Sequence, residues 1–151
     1  MKGRLRSAIV LVAVGVACAI GFAGVAAAAG LAPQLRSPHH GKAVRAAHAR
    51  LTAYVPDPAA AINGKIFLTI SNKRIVKGGV LKWSKHCGFR CDLATMKRVP
   101  HSAHLYYYAD PYNFPGNWQD TPGKYYWQVF YYPSGGVGVL PSTVGFFRIV
   151  G

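Results

Sequence analysis

The side chains best suited to chemistry are few in this chain. Its carboxylates are Asp57, Asp92, Asp110 and Asp120, four among 151 residues, with no Glu. Paired carboxylates for general acid–base work, or the oxygen clusters that hold magnesium or calcium, are hard to assemble from such a set. A glycosidase or a magnesium-dependent phosphotransferase is therefore not expected. Cys87 and Cys91 have three residues between them, and His101 and His104 follow them. This C-x3-C, H-x2-H series offers zinc-type ligands, but a finger separates its two His by three to five residues on a helix. Here Pro100 precedes the His pair and a Tyr-rich strand sequence follows it. In an exported chain a Cys87–Cys91 disulfide is the simpler reading. His39, His40, His48 and His86 lack carboxylate neighbours to orient an imidazole and read as solvated. No G-x-S-x-G elbow, HExxH, P-loop or dinucleotide fingerprint occurs. The expectation is a protein that is not an enzyme, with no cofactor and no metal.

Rings and cations are the chemistry that remains. Eight of the nine Tyr, with Trp118 and Trp127, fall between residues 106 and 132. Strands favour such rings and cross-strand aromatic pairs stabilise sheets, so packing accounts for most of this segment. The period of two in GKYYWQVFYY sends Tyr125, Trp127, Val129 and Tyr131 to one face and Tyr126, Gln128, Phe130 and Tyr132 to the other. Tyr126, Phe130 and Tyr132, joined by Phe146 and flanked by Lys124 and Arg148, would form a flat platform. Such a surface stacks on sugar rings or bases while cations hold anionic groups. Tyr112 and Trp118, in the loop ADPYNFPGNWQD, add contacts at a sheet end. A net charge of +14 favours anionic partners without dictating a fold. The cations are scattered rather than blocked, so nucleic acid is expected only as a non-specific partner.

The elements that must position these residues are short strands. Lys2, Arg4 and Arg6 precede an uncharged run, Ser7–Gly30, apolar at first (AIVLVAVGVACAI) and small at its end (GVAAAAG). That order is a signal peptide's, with cleavage expected after Ala29. The alternative is an uncleaved anchor over Ala8–Ala29, the only expected route to a membrane. Lipidation at Cys18 is disfavoured by Gly15, where a lipobox wants an aliphatic residue. Residues 30–48 mix Pro, Gly, His and basic residues without an apolar period, and read as a flexible basic tether with room for a short helix over Lys42–Arg50. A domain is expected over 49–151. Within it LTAYV, KIFLTIS, GVLKWSK, AHLYYYA, GKYYWQVFYY and TVGFFRIV read as strands separated by Gly, Pro, Asn, Asp or Ser clusters. Six or seven such strands imply an all-β, antiparallel sandwich or barrel.

The final segment, PGKYYWQVFYYPSGGVGVLPSTVGFFRIVG, resembles the end of bacterial fibronectin type III-like domains, which are immunoglobulin-like sandwiches. The resemblance rests on Pro122-Gly123, Tyr125, Trp127 and Val129, then Ser142, Val144, Phe147 and Ile149. It implies that Tyr125 is a tyrosine corner whose hydroxyl bonds nearby backbone, with Trp127, Val129, Phe147 and Ile149 in the same core. Trp83 is the candidate for the family's early-strand Trp. The resemblance also implies a secreted, non-catalytic binding or spacer module. The functional expectation is thus a secreted or cell-envelope module contacting an anionic polysaccharide or wall polymer through aromatic and basic residues. The alternative is a structural or assembly protein whose last strand pairs at its edge with another protein chain.

Overall fold

A computed structural model describes residues 31–60, 64–108, 118–134 and 138–151. The signal-peptide and anchor readings, and the position of Tyr112, lie outside these residues. The described chain is built from eleven strands and three single 3-10 turns. The strands are β1 (Gln34–Ser37), β2 (Ala43–Arg45), β3 (Thr52–Tyr54), β4 (Lys65–Ser71), β5 (Ile75–Lys77), β6 (Val80–Lys82), β7 (Asp92–Arg98), β8 (Leu105–Tyr108), β9 (Gly123–Tyr132), β10 (Leu140–Pro141) and β11 (Gly145–Val150).

One sheet runs in the order β1-β3-β8-β7-β4-β9-β11-β2, with β10 alongside β9, and β5 and β6 form a separate hairpin. The architecture is all-β, as the alternating patterns imply. It is a mixed rather than purely antiparallel sheet, because β11 and β2 run parallel, Arg148 opposite Ala43 and Val150 opposite Arg45. The sheet curls. Strand β7 turns the corner, pairing through Asp92–Thr95 with β4 and through Met96–Arg98 with β8. The two halves thereby face each other across one core. Leu51, Ala53, Val55, Met96 and Tyr106 from one half pack with Ile66, Leu68, Ile70, Trp127, Val129 and Phe147 from the other.

Strand β9, paired on both sides, supplies four of the core side chains. Its register sets Trp127 opposite Ile70 on β4 and Gly145 on β11. The inward residues Tyr125, Trp127, Val129 and Tyr131 are almost fully buried, as are Phe147 and Ile149 from β11. Burial of each such side chain stabilises the fold by about 1.5–3 kcal/mol. The Tyr125 hydroxyl donates to the Thr121 carbonyl at 2.9 Å, an anchor between strand and preceding turn.

Residues 34–45, read above as tether, instead supply both terminal strands of the sheet, β1 and β2. No apolar period advertises them, since each is only three or four residues long and largely exposed. The short helix expected over Lys42–Arg50 is confined to a 3-10 turn at Ala46–His48. Strand β7 also escaped the pattern, because Met96 is its single buried residue and Lys97 and Arg98 are exposed.

Candidate binding surfaces on the outer face

The outer face of β4, β9 and β11 bears the residues expected to bind. Alternation along β9 and its register with β11 bring Lys124 opposite Arg148 and Tyr126 opposite Phe146. The Tyr126 and Phe146 rings lie 6.1 Å apart. The Lys124 ammonium sits 4.1 Å from the centre of the Phe146 ring and 5.1 Å from that of Tyr126, within cation–π range. His40, from the turn joining β1 to β2, meets Phe146 edge-on at 4.2 Å. That turn is held by Gly41 N–H donating to the Phe146 carbonyl at 2.7 Å and Arg148 N–H donating to the Lys42 carbonyl at 2.9 Å. Arg45, two residues beyond the partner of Arg148, shares its face. The result is a first surface of Lys124, Tyr126, Phe146, Arg148 and His40.

Phe130 and Tyr132 do not join it. Gln128 lies between the two ring sets, and although it faces outward it is buried. Its amide is covered by the β5–β6 hairpin. Oε1 accepts Leu81 N–H at 2.8 Å, while Nε2 donates to the Gly79 carbonyl at 2.7 Å and to the Ser142 carbonyl at 2.8 Å. Phe130 is buried, and Tyr132 is exposed beside Phe67, ring centres 5.2 Å apart. The single platform expected from alternation is therefore divided in two.

On the far side of Gln128 the hairpin and the outer face border an open groove of about 890 Å³. Phe67, Phe130 and Tyr132 form part of its floor, and Leu81, Trp83 and Leu93 come from other segments. Sequence reasoning did not find this groove, because β4, the hairpin, β7 and β9 contribute to it from across the chain. Of Leu81, Trp83 and Leu93, the sequence singles out Trp83 alone, as the candidate for the family's early-strand Trp. It is half exposed, unlike Trp118 and Trp127.

Trp118 is a correction to the expected contacts. It is 1% exposed and packs edge-on to Phe147 at 5.8 Å and beside Tyr125 at 5.9 Å, so it belongs to the core. Cys87 and Cys91 stand at disulfide distance, Cα–Cα 5.6 Å, closing the 3-10 turn Gly88–Arg90. Among the described residues no group of three His, Cys, Asp or Glu side chains could share a metal, so the zinc-type series is not gathered into one site. Burial pushes the Tyr106, Tyr125 and Tyr131 hydroxyls above the usual tyrosine pKa of 10.0, and for Tyr131 the hydrogen bond it donates to Asp57 adds to the effect.

Comparison of the chain with protein-family models, curated proteins and solved structures gives no match in any of the three.

Proposed function

We propose that this chain is an exported, non-catalytic binding module that holds an anionic polymer or glycan of the cell envelope on Lys124, Tyr126, Phe146 and Arg148. The observation that carries the reading is the pairing of Lys124 directly opposite Arg148 on an exposed face. Like charges placed cross-strand repel. An anion bridging them removes the repulsion, while the adjacent Tyr126 and Phe146 rings offer a surface for the non-ionic faces of sugars. Export rests on the basic start, the apolar run and the small residues at Ala27–Ala29. The immunoglobulin-like kinship is supported by the Tyr125 hydroxyl on the Thr121 carbonyl, while the parallel β2–β11 pair departs from a purely antiparallel sandwich.

Retention of the full chain on immobilised polygalacturonate, followed against salt, tests this reading. Retention should fall steeply as salt screens the exposed cations. The double substitution Lys124→Ala, Arg148→Ala should weaken it about tenfold or more, the equivalent of losing charge-assisted hydrogen bonds. Retention that ignores both salt and these substitutions would overturn it. Assembly through the edge of the last strand is not favoured, because β11 is flanked by β9 on one side and β2 on the other.

A further inference from the structure

The groove between the β5–β6 hairpin and the outer face of β4 and β9 is chemically unlike the cationic surface beyond Gln128. Its volume of about 890 Å³ falls within the range of small-molecule sites, which are apolar with a few placed polar groups. Trp83, Leu93, Tyr132 and Val139 line it and remain 41–59% exposed, a contiguous apolar surface facing solvent. Thr69 and Tyr132 are the lining residues with hydroxyls, and Lys65 and Lys82 the charged ones. Among the described residues no carboxylate lines it.

That composition selects an occupant. A sugar would bury hydroxyls against rings and aliphatic side chains with few partners, and unpaired buried hydroxyls are costly. A cationic molecule would set its charge against both exposed lysines, and a neutral apolar one would gain nothing from them. We infer that the groove binds a single-chain anionic amphiphile, its hydrocarbon lying against Trp83, Leu93, Phe130 and Tyr132 and its carboxylate held by Lys65 or Lys82. The hairpin, anchored to Gln128 through Gly79 and Leu81, forms one wall and sets the groove's width. This site is independent of the Lys124 surface.

Trp83 supplies the readout. Trp118 and Trp127 are 1% and 0% exposed, against 49% for Trp83, so a ligand entering the groove changes the environment of this indole above all. The full chain is titrated with dodecanoate below its micellar range, and with dodecyltrimethylammonium and acetate. Dodecanoate should shift Trp83 emission saturably to shorter wavelength. The cationic amphiphile should bind about tenfold more weakly and acetate not at all, since the first lacks the charge match and the second the chain. Leu93 is exposed, so Leu93→Asp should fold normally and lose at least about tenfold in affinity by placing a carboxylate against the hydrocarbon. In Trp83→Phe the spectral shift should vanish while calorimetry still registers dodecanoate. Equal affinity for both head groups, or undiminished binding by Leu93→Asp, would overturn the inference. So would a concentration-dependent dimer that dodecanoate fails to dissociate, which would make a second copy the occupant.

Discussion

Asp57 shows how a scarce carboxylate is used when it is not used for catalysis. Its Oδ1 accepts the Ala59 N–H at 2.9 Å and its Oδ2 accepts the Tyr131 hydroxyl, tying the turn after β3 to the strand that carries the core. The bond needs a protonated Tyr131, and burial with the neighbouring Asp57 disfavours the tyrosinate. The same direction holds for Tyr125 and Tyr106, where burial is the leading cause. A folded-state pKa raised above the unfolded value means that this stability is fully present below about pH 10 and is lost as pH climbs beyond it. Absorbance near 295 nm should therefore show tyrosines that ionise later in the native protein than in urea, with unfolding accompanying their release. Tyr131→Phe should remove one of these late tyrosines and cost about 1–3 kcal/mol in urea unfolding by stripping Asp57 of a buried partner. None of this was visible in sequence, where Asp57 sits in an ordinary Pro-Asp-Pro turn.

The decisive element is the β5–β6 hairpin. An isolated two-stranded hairpin is marginal in water, so this one depends on what it touches. Gln128 provides that contact with three hydrogen bonds from one buried amide. Gln128→Glu keeps the shape but loses both amide donors, leaving the Gly79 and Ser142 carbonyls unserved beside a buried charge. We expect a loss of about 2–5 kcal/mol in chemical denaturation and faster amide exchange confined first to residues 75–82. Uniform loss of protection across β4 and β9 would argue instead that the hairpin is integral to the core. The alternation of β9 correctly assigned its inward and outward faces. It could not reveal that a hairpin from elsewhere covers the middle of the outward one, so Gln128 reads as exposed.

At the scale of the whole molecule the sheet is closed by its own beginning. Strands β1 and β2 are neighbours in sequence yet stand at opposite ends of the strand order, so the turn over residues 38–42 ties the ends of the curled sheet together. Leu35 on β1 packs over Gly145 on β11 so closely that a Cβ on Gly145 would lie 2.7 Å from Leu35 Cδ1 and 2.9 Å from Trp127 Nε1. Gly145→Ala should therefore cost about 1–3 kcal/mol through overpacking, read as a lower urea midpoint. Deleting residues 31–45 should be worse, since it uncovers the edges of β3 and β11 and exposes them to pairing with other chains. A tether would tolerate the same deletion without effect. Equal urea midpoints for the intact and shortened chains would show that the closure contributes nothing.

Sequence alone determined what local physics can determine: the all-β class, the bounds of β4 and β9, and the inward set Tyr125, Trp127, Val129 and Tyr131 of β9. Each follows from alternation, which a chain carries in its own letters. The tertiary structure decided which strands became neighbours, and with that the fate of the outer face. Lys124 meets Arg148, Trp118 enters the core, and Trp83 and Leu93 meet in a groove because pairings between distant segments bring them there. Contacts made by folding leave no period in the sequence to read.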